Sequence, residues 1–204
     1  MRTEKEKMLA EELYNAGDVE LQAMRQKARQ LTRLFNNTTE EQLDYRTQLL
    51  KQLFGKTGEH LFIEPPFRCD YGCHISVGEN FFANFECIIL DVAKVEIGNN
   101  VMFGPRVGIY TAGHPIDPEV RNRGLEFGTS IFIGNNVWIG ANVTLNPGVK
   151  IGNNVIIGSG SIVTKDIPNN TIAAGNPCRV IREITAADKE YWLHQEQNYY
   201  QEIK

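Results

Sequence analysis

Ile133-Gly-Asn-Asn-Val-Trp-Ile-Gly-Ala-Asn-Val-Thr-Leu-Asn-Pro-Gly-Val149 decides the fold. Apolar residues recur in it every six positions, at Ile133, Ile139 and Leu145, and the row continues through Ile151, Ile157 and Val163. A second row, Val137, Val143, Val149 and Val155, runs beside it. A period of six matches neither the 3.6-residue turn of an α-helix nor the alternation of a strand meander. It matches a solenoid whose coil has three short sides, so that every sixth side chain stacks inside a narrow prism. Each buried aliphatic contributes about 1.5–3 kcal/mol, and such a ladder can hold the coil together.

Working outward, the pattern occurs in four copies: Ile75-Ser-Val-Gly-Glu-Asn-Phe81, Val95-Glu-Ile-Gly-Asn-Asn-Val101, Ile131-Phe-Ile-Gly-Asn-Asn-Val137 and Val149-Lys-Ile-Gly-Asn-Asn-Val155. The last two start 18 residues apart, the first two 20 and the middle pair 36. The wide interval holds one coil and an insertion of equal size. Its ladder positions would be Pro115, Arg121 and Phe127, so residues 111–130 read as an excursion loop, of a length that compact domains keep for a use. Gly98, Gly134, Gly140, Gly152 and Gly158 follow inward aliphatics and are expected to turn the corners. Asn99, Asn135 and Asn153 are expected to satisfy the backbone there. Trp138, between Val137 and Ile139, should point outward, as an interface or ligand wall.

Residues 1–58 differ in kind. Lys5–Tyr14, Val19–Phe35 and Glu40–Phe54 show helical spacing, Thr38 with Glu41 forms a capping box, and Gly55 and Gly58 end the last helix. The solenoid occupies 59–182. A tail, 183–204, is expected to form a helix from near Thr185 whose Tyr191, Trp192, Tyr199 and Tyr200 pack on the solenoid or on a neighbouring subunit.

The chain is 42% hydrophobic and 23% charged with a formal charge of −4, which excludes global attraction to nucleic acid or an anionic membrane. No apolar run reaches membrane-spanning length and Met1–Lys7 lacks a secretion signal, so a cytoplasmic location is expected. Cys69, Cys73, Cys87 and Cys178 read as free, buried or half-buried thiols rather than zinc ligands, since Cys-x-x-x-Cys-His matches no common zinc spacing.

His60 and His194 read as surface residues and His74 as ambiguous. His114, in Thr111-Ala-Gly-His-Pro115, stands just off a rigid coil with Gly113 and Pro115 fixing an unusual backbone. A neutral imidazole there suits general-base catalysis near pH 7; a loop histidine capping a turn is the other reading. Asp91 and Glu126 are candidates to orient or charge-stabilise it. Thr164, Lys165, Arg179 and Arg182 form a basic cluster, either solvated or phosphate-binding. There is no P-loop, dinucleotide fingerprint or Gly-x-Ser-x-Gly elbow.

The stretch Ile133–Val149, its continuation Ile157-Gly-Ser-Gly-Ser-Ile-Val-Thr-Lys-Asp-Ile-Pro168 and Ala174-Gly-Asn-Pro-Cys-Arg-Val-Ile-Arg182, with Ala112-Gly-His-Pro115, Met8–Tyr14 and Ile63–Phe67, resembles the maltose/galactoside O-acetyltransferases; nodulation acetyltransferases are similar. The resemblance covers nearly the whole chain. It implies a mainly β fold, a left-handed parallel β-helix that departs from the right-handed crossover rule. It also implies a homotrimer with active sites between adjacent subunits, into which the excursion loop reaches. His114 matches the catalytic histidine. Asp70, Asn84 and Asp91 match acceptor-pocket positions, and Asp18 or a neighbour an acceptor-binding acid; Val92 stands where a polar partner is expected. Ala141, Ser159, Thr164, Lys165, Arg179 and Arg182 match the acetyl-CoA groove, where small residues let the pantetheine arm approach the backbone; Trp138 is a further candidate wall.

The expected reaction is direct acetyl transfer from acetyl-CoA to a hydroxyl of a sugar such as maltose, glucose or a galactoside, with no metal and no nucleic-acid or membrane partner. A zinc hydratase on the same solenoid needs three converging histidines, for which only His74 and His114 offer themselves. A non-catalytic scaffold would need neither His114 nor the basic cluster. The acceptor, whether one of these sugars, an oligosaccharide or a non-sugar alcohol, is not named by the sequence.

Overall fold

Three residues of each six-residue unit run extended and the remainder turns, so the chain lays down short parallel strands on three faces. The computed structural model describes residues 2–202 and forms a β-helix of about six turns. Four strands make one face: β4 (Ile75–Val77), β7 (Val95–Ile97), β12 (Ile131–Ile133) and β15 (Lys150–Ile151). The next face has seven: β2 (Leu61–Ile63), β5 (Phe81–Ala83), β8 (Met102–Phe103), β13 (Trp138–Ile139), β16 (Val155–Ile157), β18 (Thr171–Gly175) and β19 (Cys178–Glu183). The third has five: β3 (Arg68–Cys69), β6 (Ile88–Leu90), β9 (Gly108–Tyr110), β14 (Thr144–Leu145) and β17 (Ile162–Val163). Each coil visits the four-, seven- and five-stranded faces in that order. The corner before the five-stranded face is here its upstream corner, and the one after it the downstream corner.

Both expected ladders are inside. Ile133, Ile139, Leu145, Ile151, Ile157 and Val163 are buried, as are Val137, Val143, Val149 and Val155. Register stacks like on like: Ile139 lies between Phe103 and Ile157, and Leu145 between Ile109 and Val163. Within these three faces of the described residues only β19 runs antiparallel, where the chain folds back over β18 and closes the solenoid.

The corner glycines work differently from expectation. Positive φ falls on the second asparagine of each Gly-Asn-Asn unit, with Asn100 at 56°, Asn136 at 57° and Asn154 at 55°. Asparagine tolerates this region because its short amide bonds locally. The glycines are needed for close approach: a Cβ on Gly134 would lie 2.8 Å from the carbonyl of Gly152 in the next coil. The first asparagines bridge coils, with Asn135 Oδ1 accepting from Asn99 N and Asn153 Oδ1 from Asn135 N.

The N-terminal segment holds α1 (Glu4–Leu9), α2 (Val19–Asn36) and α3 (Leu43–Leu53). The helix expected over Lys5–Tyr14 stops early, and Tyr14–Asn15 becomes a strand, β1. The capping box lies at Thr3 and Glu6. At Thr38 and Glu41 none forms, because the Thr38 hydroxyl donates to Phe35 O and accepts from Arg46 Nε, and α3 begins after Gln42 with no side-chain cap. Phe35, Leu49, Leu50 and Leu53 join the solenoid core. A smaller core of Met8, Tyr14, Leu21, Tyr71 and Val92 fastens α1 and α2 to the downstream corner.

Between β9 and β12 the excursion loop forms a hairpin of β10 (Ala112–Gly113) and β11 (Leu125–Gly128) with α4 (Pro118–Asn122) at its tip. The tail helix α5 spans Ala186–Glu202 and buries no residue. Within one chain its Tyr191, Trp192, Tyr199 and Tyr200 remain exposed rather than packing on the solenoid.

Candidate active site

The downstream corner is a stack of three turns tied by buried polar groups. Asp91, fully buried, accepts at Oδ1 from the amides of Asp70 (3.0 Å) and Tyr71 (2.9 Å) and at Oδ2 from that of His74 (3.3 Å). His74 Nδ1 lies 2.7 Å from the Asp91 carbonyl, which requires a proton on that nitrogen. One coil on, Thr111 Oγ1 donates to Leu90 O at 2.7 Å and accepts from Ala93 N at 3.0 Å. His114 leaves this stack three residues later, exposed to solvent. Among the described residues it has no hydrogen-bond or ion-pair partner.

Gly113 beside it has no left-handed backbone; it is glycine because the Phe127 ring lies against it, 2.9 Å from where a Cβ would sit. The hairpin that carries His114 is braced by the N-terminal segment. β1 pairs antiparallel with β11, Tyr14 Oη donates to Glu126 Oε2 at 2.9 Å, and Glu11 Oε1 accepts from both the amide and the hydroxyl of Ser130. Glu126, expected as a partner for the imidazole, is thus engaged by Tyr14. Burial, then the charge of Glu126, pushes the Tyr14 hydroxyl well above its ordinary pKa.

Asp91 also differs from expectation. With no exposed surface it cannot touch an acceptor or His114; it holds the turn that presents Asp70. Burial drives its carboxyl up to about 7, the charge of Asp70 adds, and the bonds from the Tyr71 and His74 amides oppose. Asp70 is half-buried, its carboxyl raised by burial and by Glu126 while Arg25 and Arg29 pull it down. It lines an open groove of about 530 Å³ with Arg29, Arg68 and Tyr110. Arg25, which no sequence signal marks, reaches from α2 to donate to Tyr71 Oη and Ala16 O. Asp18 caps α2, its Oδ1 accepting from the amides of Glu20 and Leu21. Val92 is buried in the smaller core and packs where a Cβ on Gly128 would fall.

The upstream corner carries the other predicted residues. Asn84 follows β5, Ala141 follows β13 and Ser159 follows β16, so the three stand at one edge on different coils. Ser159 Oγ accepts from Ala141 N. Arg179 lies opposite Ala174 at the same edge, and its Nη1 donates to Cys178 O. Trp138 is half exposed on the outer surface of the seven-stranded face, in register between Met102 and Ile156. Arg182 continues that row beyond Ile172 and forms a two-bond ion pair with Asp188, both at 2.7 Å. Thr164 and Lys165 follow β17, and so stand at the downstream corner.

The four thiols are free. Cys87 and Cys178 are buried, Cys69 half-buried and Cys73 exposed, the last against expectation. Burial raises the pKa of each, to about 11 for Cys87, and the charge of Asp91 raises Cys69 and Cys73 further. None is a ready nucleophile at neutral pH. Among the described residues no cluster of three His, Cys, Asp or Glu side chains could hold a metal ion, and no helix is long and apolar enough to cross a membrane.

Comparison with known proteins adds to this geometry. Residues 7–58 match the maltose acetyltransferase hexapeptide capping motif, and residues 130–165 the bacterial transferase hexapeptide with six repeats. The galactoside O-acetyltransferase of Lactococcus lactis is 42% identical over 90% of this chain and 89% of its own. A maltose O-acetyltransferase structure from Clostridium difficile 630 superposes with a TM-score of 0.90 at 57% identity, covering 90% of this chain and 98% of that one. A galactoside acetyltransferase structure in complex with coenzyme A superposes at 0.89 with 44% identity, covering 93% and 94%.

Proposed function

The chain belongs to the maltose and galactoside O-acetyltransferase family and is an acyltransferase; from that premise we propose that it moves an acetyl group from acetyl-CoA to a sugar hydroxyl, with His114 as general base. Maltose, glucose or a galactoside is the acceptor class, and the reaction runs in the cytoplasm. The observation that carries this reading is the placement of His114: solvent-exposed, without a partner among the described residues, on a hairpin braced by the N-terminal segment.

A second copy of the chain completes the site. His114 and Asp70 stand at the downstream corner, Asn84, Ala141 and Ser159 at the upstream one, with the five-stranded face between them. One subunit therefore cannot bring both sets to one substrate, whereas a head-to-tail ring sets one subunit's downstream corner against its neighbour's upstream corner. A homotrimer is the ring we propose. The edge at Ala141 and Ser159 is free of bulky side chains and suits the pantetheine arm, while Lys165, Arg179 and Arg182 suit the phosphates. Asp70 is placed to bind an acceptor hydroxyl.

In the ternary complex the imidazole of His114 takes the proton of the attacking hydroxyl as its oxygen bonds to the thioester carbonyl carbon. The carbon–sulfur bond breaks and the coenzyme thiolate receives the proton from the imidazolium. The raised thiol pKa values argue against an acetyl-cysteine intermediate and favour this direct route. General-base assistance is worth about 10²–10⁴-fold. His114→Ala should lose that factor in turnover while keeping its assembly and coenzyme binding, followed as thiol release from acetyl-CoA over a panel of acceptors. Near-native turnover in the variant sinks the assignment, and absence of release with every hydroxyl acceptor sinks the reaction.

A further inference from the structure

We propose that the first coil of the seven-stranded face holds a second sugar unit of the acceptor, stacked on Phe62 and hydrogen-bonded by His60 and Asn80, so that short oligosaccharides are preferred to single sugars. The inference rests on the sugar acetyltransferase reading above and adds a contact remote from the reacting hydroxyl.

On the outer surface of β2, β5, β8 and β13, register sets Phe62, Phe82, Met102 and Trp138 in one row. At about 4.8 Å per strand the row spans about 14 Å. The inward aromatics of β5 and β8, Phe81 and Phe103, are buried in the solenoid core, whereas Phe62 is 37% exposed. Its ring lies parallel to that of Phe82, the planes 3° apart and the centroids separated by 5.9 Å. β2 is the terminal strand of the face, so Phe62 has an aromatic neighbour on one side and none on the other. It lines a cavity of about 400 Å³ with Phe82, Thr47, His60 and Asn80. Asn84, an expected acceptor residue, stands at the upstream corner two residues after Phe82. A ring on Phe62 and a hydroxyl at Asn84 therefore fall within the reach of one short saccharide.

A pyranose ring has a face of C–H bonds and a rim of hydroxyls, so it needs a flat apolar surface edged by donors and acceptors. The cavity supplies both. His60 is fixed through its backbone: its amide donates to Glu79 Oε2 at 3.1 Å and its carbonyl accepts from Asn80 N at 2.8 Å. Its imidazole is exposed and has no hydrogen-bond or ion-pair partner among the described residues. Asn80 Nδ2 donates to Asn100 Oδ1, which leaves the Asn80 Oδ1 to accept from a hydroxyl. The carboxylate lining the cavity, Glu59, is paired with Lys51 at 3.1 Å, and among the described residues no lysine or arginine lines it. That charge balance suits a neutral sugar and not a phosphate or a nucleotide.

Steady-state kinetics of the full chain with acetyl-CoA and glucose, maltose or the trisaccharide of the same series, followed as thiol release, test the assignment, with circular dichroism to check folding of each variant. In the native chain KM should fall with acceptor length at unchanged kcat. Phe62→Ala should raise KM for the longer acceptors about two- to tenfold. It should leave kcat and the glucose kinetics unchanged, the mark of a contact made equally in the ground and transition states. Phe62→Tyr should restore the preference. If native KM is the same at every length, or Phe62→Ala affects glucose and the longer acceptors alike, the subsite is overturned and the acetyltransferase reading stands. If Phe62→Ala instead changes the oligomeric state in sedimentation, the face is an interface between copies and the subsite is likewise overturned. If the native chain acetylates no sugar, that reading falls and this one with it.

Discussion

Two corners of the same solenoid use their side chains in opposite ways. Between the four- and seven-stranded faces nearly every coil repeats Gly-Asn-Asn, and the amides are consumed by the neighbouring coil: Asn100 Nδ2 donates to Asn136 Oδ1 and Asn154 Nδ2 to Asn170 Oδ1, while the first asparagines cap backbone amides. Even the exception conforms. Glu79, in the first copy, turns its carboxylate on the amides of Glu59 and His60. At the downstream corner no coil copies another. It holds the Asp70–His74 turn, the buried Asp91, the excursion hairpin and the exposed Thr164-Lys165 pair. A repeat that is obeyed spends its polar groups on stacking. Where it is broken, Asp91 and Thr111 still tie coil to coil, while His114, Thr164 and Lys165 stand exposed.

The comparison predicts which substitutions damage the fold and which the chemistry, and His114→Ala, changing turnover alone, is the limiting case at the irregular corner. The largest structural effect should come from Asp91→Leu, which strands one buried and two part-buried amides, at up to about 1–3 kcal/mol each; a urea melt shifted by less than about 1 kcal/mol would remove Asp91 from its place as keystone. The same carboxyl predicts a pH dependence. It titrates near 7 folded against 3.8 unfolded, so folding takes up a proton between those values. Its contribution is full below the unfolded value, declines as pH rises toward 7 and is level above. Melts across that window should slope downward in the native chain and lose the slope in Asp91→Asn.

At the regular corner Gly134→Val drives a side chain into the backbone of Gly152 and should cost about 1–3 kcal/mol with little effect on the turnover of molecules that remain folded. Equal loss of turnover per folded molecule would show that the two corners are not separable. The smallest effect is at the brace. Tyr14→Phe removes one bond to Glu126, worth about 0.5–1.5 kcal/mol, and should speed hydrogen exchange in β10 and β11 without moving the global melt; protection unchanged there would detach the brace from the loop that carries His114.

Much of this was readable in advance because periodicity is a local property. The six-residue rows are buried as expected, Trp138 points outward, and β10, α4 and β11 leave the coil between β9 and β12, since each follows from which neighbours a coil must stack upon. Tyr14 was misread for the complementary reason. Its helical spacing is genuine, but a pairing with Glu126, 112 residues away, makes it a strand. The capping box at Thr38 failed likewise, because Arg46 claimed the hydroxyl.

The sequence by itself therefore determined the solenoid, its inward ladders, the interval that had to leave it and the histidine on that interval. Only the tertiary structure decided that Asp91 is a buried support for its turn, that Asp18 caps α2 through one oxygen, and that Arg25 and Tyr71 flank Asp70. It also decided that His114 and Asp70 stand at one edge of the five-stranded face and Asn84, Ala141 and Ser159 at the other. The reason is physical: stacking repeats every coil and leaves its period in the residues, whereas burial and long-range hydrogen bonds depend on partners that no local pattern encodes.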